Sequence, residues 1–174
     1  MFRPTLMFVS ILTFAGVGAG VAVATPKDDW PRINGDLWIN TNDHDTTRTG
    51  TAENDELLGG HGDDVIYGGD GHDVIWTDHK ATGNTKRQKD KVYAGVGNDW
   101  VYASHGRNTI YGGRGQDTIR VWFGRGFVDC GPGKRDILYV SRTQNKKVKR
   151  RNCEFVKHKS ASDAIHDRDH LKYP

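Results

Sequence analysis

From Gly50 to Tyr139 the chain returns to the same pattern every nine residues, and an aspartate reappears at the same place in the period. The run opens GTAENDELL, GGHGDDVIY, GGDGHDVIW, in which Asp55, Asp64 and Asp73 share one phase and Leu57, Ile66 and Ile75 another. One aliphatic per short repeat cannot fill a single large interior. Each unit buries its apolar residue only by stacking on its neighbours. The pattern therefore predicts an all-β chain, a right-handed parallel β-roll or β-helix solenoid. Each aliphatic centres a short strand, and a Gly-rich turn bearing a carboxylate precedes it. Composition agrees, with 22 glycines in 174 residues and few leucines.

The aspartate phase continues through Asp90, Asp99, Asn108, Asp117 and Asp136. Most steps are nine, but Asp73 to Asp90 is 17 and Asp117 to Asp136 is 19. Each long step reads as two repeats, one residue short or one long. The first contains a basic, turn-rich stretch from His79 to Lys89 that is expected to bulge from the coil. The aliphatic phase follows through Val92, Val101, Ile110, Ile119, Val128 and Leu138, the expected inward ledge. One residue after it stand Tyr67, Trp76, Tyr93, Tyr102, Tyr111 and Tyr139, which strand alternation turns outward. Counting alternate repeats puts Trp76, Tyr93 and Tyr111 on one sheet and Tyr67, Tyr102 and Tyr139 on the other. Such rows either stack across strands or offer a platform to glycan rings.

Calcium prefers six to eight oxygens and takes carboxylates together with backbone carbonyls. A GGxGxD turn supplies both, because glycine reaches the positive φ angles that aim carbonyls inward. Two nonapeptides make a coil, so turns 18 residues apart lie over one another and share a site. Asp73 then lies over Asp55, and Asp117 over Asp99. The turn ending at Asp64 faces the basic loop and is left open. Asp90 meets Asn108, and Asp136 sits in a turn with Pro132, Lys134 and Arg135.

Charge divides the chain. Residues 50–78 carry eight acidic and no basic residues, whereas 79–140 carry 11 basic and five acidic, and 141–174 carry 10 and four. Carboxylates crowded in this way repel unless a cation neutralises them.

The flanks complete the organisation. Residues 1–24 hold one charge, Arg3, then an apolar stretch and Ala22-Val23-Ala24, the order of a secretory signal peptide. An uncleaved anchor is the alternative. Residues 25–49 lack the period and are expected to cap the first coil. Their Asp43-His44-Asp45 cluster is either a solvated turn or a metal contact. Residues 50–140 form the roll, and 141–174 a basic C-terminal cap and tail with the run KKVKRR. Export to an oxidising exterior would join Cys130 and Cys153, the only cysteines, and staple the C-terminal end.

Residues 55–73 read D-x-L-x4-G-x-D-x-I-x-G-G-x3-D, which resembles the hemolysin-type (RTX) calcium-binding signature at every constrained position. The resemblance spans roughly Gly50 to Tyr139. It implies a β-roll folded by Ca2+ outside the cell, with ligands at Asp55, Asp64, Asp73, Asp99 and Asp117. The stretch from VDCGPGKRD to NCEFV is similar to small secreted calcium-binding proteins of actinobacteria. Two features depart from the RTX pattern: an N-terminal leader where such proteins usually leave by a C-terminal signal, and a basic half with two cysteines.

The expected product is a secreted, extracellular calcium-binding module with a structural or surface-interaction role, and no enzyme. Ser104 beside His105 is a neighbour pair and not a triad, and His166 with His170 reads as a pair in the tail. The alternative is a short solenoid enzyme or glycan-binding protein acting on extracellular polysaccharide, which would need carboxylates over a sheet face. The basic residues suit an anionic surface polymer or glycan. No nucleic-acid module accompanies them, and no stable membrane insertion is expected once the leader is removed.

Overall fold

The computed structural model describes residues 30–80, 87–103 and 105–159. The proposed leader, Ser104 and the tail histidines lie outside the described residues. No helix among the described residues is long and apolar enough to cross a membrane.

Thirteen strands alternate between two parallel sheets. The first sheet holds β1 (Leu37–Ile39), β3 (Glu56–Leu58), β5 (Val74–Trp76), β7 (Trp100–Ala103), β9 (Thr118–Val121), β11 (Ile137–Ser141) and β13 (Phe155–Lys159), in that order. The second holds β2 (Thr47–Thr49), β4 (Val65–Asp70), β6 (Lys89–Val96), β8 (Arg107–Arg114), β10 (Arg125–Asp129) and β12 (Val148–Arg151). Consecutive strands thus belong to opposite sheets and successive coils stack, which makes the fold a parallel β-solenoid of the β-roll kind.

The ledge lies inside. Leu57, Ile75, Val101, Ile119 and Leu138 are in register down the first sheet. Ile66, Val92, Ile110 and Val128 are in register down the second. All nine are at most 1 % exposed. At about 2 kcal/mol for each buried aliphatic, this column is the main apolar contribution to stability. The coil continues past both ends of the nine-residue pattern. Trp38 pairs with Leu57 and Val156 with Leu138, while Arg48 and Arg150 occupy the ledge register at the two ends of the second sheet.

One reading of the spacing is corrected. Ile66 pairs with Val92 and Ile75 with Val101, each 26 residues on. The interval from Asp73 to Asp90 therefore holds one repeat plus eight extra residues, not two repeats. The extra residues fall between β5 and β6 and add no rung to either sheet. The interval from Asp117 to Asp136 does hold two repeats, because β10 lies within it. The aromatic rows change accordingly. Tyr67, Tyr93 and Tyr111 share the second sheet, and Trp76, Tyr102 and Tyr139 lie on the first.

The two rows have different fates. Trp76 and Tyr102 stack at 4.2 Å and are only 5 % and 2 % exposed. Trp30, Ile33 and Ile39 pack over them as a second apolar cluster, and the Trp30 indole N–H donates to the Tyr102 hydroxyl at 2.7 Å. Outward from the coil is therefore not exposed at the rungs of Trp76 and Tyr102.

Cys130, at the end of β10, is disulfide-bonded to Cys153, between β12 and β13. The bridge ties the final coil to the one before it across 23 residues, which is worth about 3 kcal/mol by loop-closure entropy. A reductant is expected to lower the melting temperature and to raise hydrogen exchange first in β10 to β13. Uniform loosening of β3 to β6 would contradict this placement.

Candidate metal centre

The repeat turns lie along the two edges of the roll. Asp55, Asp73, Asp99 and Asp117 occupy one edge, each just before a strand of the first sheet, and Asp64 lies on the opposite edge before β4. All five are fully buried. They do not converge on one point. Among the described residues no three His, Cys, Asp or Glu side chains come close enough to share a metal ion. Each floor offers a carboxylate, and its further oxygens must come from the backbone.

The carboxylates form a ladder. The backbone N–H of Asp55 donates to Asp73 Oδ1 at 2.9 Å, Asp73 to Asp99 at 2.9 Å, Asp99 to Asp117 at 3.0 Å, and Asp117 to Asp136 at 2.8 Å. Asp36 extends it at one end by donating to Asp55, and Glu154 at the other by accepting from Asp136 at 2.9 Å. On the opposite edge Thr46 donates to Asp64 Oδ1 and Asp64 to Asp90 Oδ1. A second ladder beside it runs in the opposite sense: Asn34, Asn54, His72 and Asn98 accept from the amides of Asn54, His72, Asn98 and Gln116, each in the coil that follows.

The second carboxylate oxygen separates the turns into two kinds. In Asp55 and Asp64, Oδ2 accepts from the amides of Thr51 and Gly60. In Asp73, Asp90, Asp99, Asp117 and Asp136 the buried Oδ2 has no hydrogen-bond partner among the described residues. In the Asp73 and Asp117 turns a carbonyl of the following coil lies close by. A Cβ placed on Gly68 would fall 2.5 Å from Asp73 Oδ2 and 2.1 Å from the Ala94 carbonyl oxygen. On Gly112 it would fall 2.5 Å from Asp117 Oδ2 and 2.3 Å from the Cys130 carbonyl oxygen. Glycine keeps these oxygen-lined cradles open.

Burial pushes the carboxyls up. Asp64 rises to about 6, Asp73 and Asp117 to about 7, and Asp90 and Asp99 to about 8, against an ordinary value near 4. Burial is the largest cause in every case, hydrogen bonds from backbone amides oppose it, and neighbouring carboxylates add to it. Asp136 is raised by burial and by Glu154. A buried, partnerless carboxylate oxygen beside a carbonyl is costly in the absence of a cation and is the hard-oxygen donor set that calcium takes. The residues fit that ion.

Asp90, Asp136, Asp36 and Glu154 were not among the expected ligands. Asp90 and Asp136 stand in the aspartate phase, and Glu154 follows Asp136 at the coil period of 18, so spacing alone could have found them. Asp43 is held by Lys80 and by His61 at 3.1 Å, and Asp45 accepts from the Asp63 amide at 2.8 Å.

The model of the RTX calcium-binding nonapeptide repeat matches residues 49–78 and 88–119 in four copies, about a third of the chain. The matched stretches stop on either side of the inserted loop. Comparison with curated proteins and with solved structures gave no match.

Proposed function

We propose that this chain, which carries RTX calcium-binding nonapeptide repeats, acts outside the cell as a secreted, non-enzymatic structural or surface-interaction module. The repeats make it a calcium-binding β-roll. The observation that carries the fuller reading is the column of buried aspartates whose Oδ2 atoms lack partners. Asp73, Asp99 and Asp117 are the principal ligands in this reading, Asp55 and Asp64 contribute at the N-terminal floors, and Asp90 and Asp136 join them. Bound calcium supplies the positive charge that lets these carboxylates stay ionised inside the roll. The chain's own part is to hold one carboxylate and the next coil's carbonyl at each turn. Calcium modules of the extracellular space bind at about 10⁻⁴ to 10⁻³ M, so such a roll would be loaded only after export. The repeat aspartates lie in turns and not over a sheet face, which supports a module in preference to a glycosidase.

The sites should be unequal. Asp73 belongs to a segment without basic residues, whereas the turn of Asp117 contains Arg114, and that of Asp136 contains Lys134 and Arg135. Arg107 begins β8, at the far end of that strand from the Asp117 turn, and has no part in the ranking. Asp73→Ala is expected to lower calcium binding most, Asp117→Ala less and Asp136→Ala least. Isothermal titration calorimetry of the three variants decides it. A dominant loss from Asp136→Ala would contradict the charge argument.

A further inference from the structure

The outer face of the second sheet carries an unusual surface. Lys89, Arg107 and Arg125 are in register across β6, β8 and β10. One step along the same face, Lys149 pairs with Phe127. Beside them runs a groove of about 320 Å3 lined by Arg107, Arg125, Phe127, Lys147 and Lys149. It continues into a second of about 300 Å3 that shares Arg125 and Lys147. Among the described residues, none of these four cations is ion-paired to a carboxylate. Asp129, on the same face of β10, is already held by Arg151 and Asn152 at 2.7 and 2.8 Å.

The third row on this face is aromatic, and its geometry is decisive. Tyr67 and Tyr93 stack at 4.9 Å with ring planes 2° apart, and Tyr93 and Tyr111 at 5.0 Å and 7°. Rings stacked on one another along the solenoid axis have no inner faces left for a sugar ring or a base, and only Tyr67 at the end of the row keeps a face uncovered by another ring. What they turn outward is edges and hydroxyl groups, one per rung. The face therefore offers a line of cations and a line of phenol hydroxyls, both repeating at the strand spacing of about 4.8 Å.

We infer that this face binds a linear carboxylated polysaccharide, a uronan, laid across the strands over Arg107, Arg125, Lys147 and Lys149. A single small anion would use one rung, whereas a chain with one carboxylate per sugar uses several at once and gains by multivalency. An extended pyranose residue spans about one rung, guanidinium groups receive carboxylates in a bidentate fork, and the tyrosine hydroxyls meet sugar hydroxyls. Single-stranded nucleic acid is disfavoured, because its affinity relies on open aromatic faces. The inference rests on the reading of the protein as a surface-interaction module.

Fluorescence anisotropy of a labelled oligoglucuronate tests it, with the calcium-loaded, exported chain and at a calcium concentration where the oligomer alone stays monomeric. Binding is expected to weaken with salt. It should fall about tenfold or more in Arg107→Gln/Arg125→Gln/Lys149→Gln and stay unchanged in the charge-matched Arg32→Gln/Lys157→Gln/Lys159→Gln. Circular dichroism and calcium titration of the first variant should match the parent, which separates loss of this face from loss of the fold. Equal binding by the first variant, an equal loss in the second, or equal binding of the carboxyl-reduced oligosaccharide overturns the proposal. Tighter binding of a single-stranded oligonucleotide assigns the face to nucleic acid instead. Failure of the calcium titration with anisotropy intact would overturn the metal reading and leave this one standing.

Discussion

Chelating calcium at pH 8 is expected to melt the roll, and the same treatment at pH 5 to leave much more of it folded. In the folded chain without metal, burial holds the carboxyls of Asp64, Asp73, Asp90, Asp99 and Asp117 at about 6 to 8. A carboxyl raised in the folded state contributes stability that is fully present below its unfolded value near 4 and is lost as pH rises through the folded value. Calcium-free protein should therefore weaken between about pH 5 and 8. Calcium reverses the slope, because it binds the ionised form and competes with protons. A site filled at 100 times its dissociation constant adds about 2.7 kcal/mol, so three such sites rival the whole stability of an ordinary domain. Thermal melts followed by circular dichroism, in calcium and in chelator at both pH values, read this directly. A melting temperature indifferent to chelator at pH 8, or the same pH slope with and without calcium, would contradict the ligand set. Magnesium should substitute poorly, since a smaller octahedral ion fits these turns badly.

Gly97→Ala is expected to be the most damaging single methyl group in the protein. Gly97 sits at φ +147°, a region L side chains rarely adopt, and its added Cβ would lie 1.5 Å from the carbonyl oxygen of Gly71 in the preceding coil. Backbone has nowhere to move, because Gly115 stacks on Gly97 in the same way from the next coil. Backbone strain and the clash together should cost about 3 kcal/mol or more. Arg142→Ala, on an exposed residue outside the repeat turns, should stay within about 0.5 kcal/mol. Equal denaturation midpoints for the two variants would mean that the stacked turns are not as tight as described.

The repeated part of the fold was legible because each repeat states the same rule: one aliphatic inward, one aspartate in the turn. That rule located Leu57 to Leu138 in the core and set Asp73 over Asp55 and Asp117 over Asp99, but the count of two repeats between Asp73 and Asp90 put the second pair on the wrong edge. The stretch after Asp78 was expected to bulge, but its 17-residue step nearly equals two periods, so arithmetic counted a second repeat where the register holds none. The error moved the tyrosines to the wrong sheets. The first and last coils carry only part of the rule. Arginines hold the ledge register at Arg48 and Arg150, and only the coil period of 18 links Glu154 to Asp136. The covering of Trp76 and Tyr102 by Trp30 and Ile33 comes from residues far apart in the chain and leaves no periodic trace. The partnerless Oδ2 atoms depend on the approach of two coils, which no single turn sequence expresses.

The aspartate ladder has a direction. Every rung is an amide of one coil donating to the carboxylate of the coil that follows it, and Glu154 terminates the series. On this ladder a turn therefore lacks its acceptor until the next turn is in place. The carboxylates it already holds repel one another in the meantime. The ladder beside it runs the other way, each amide donating to a side chain of the coil before it, so every coil depends on both of its neighbours. Loss of one coil therefore leaves an unmet donor on one side and an unmet acceptor on the other.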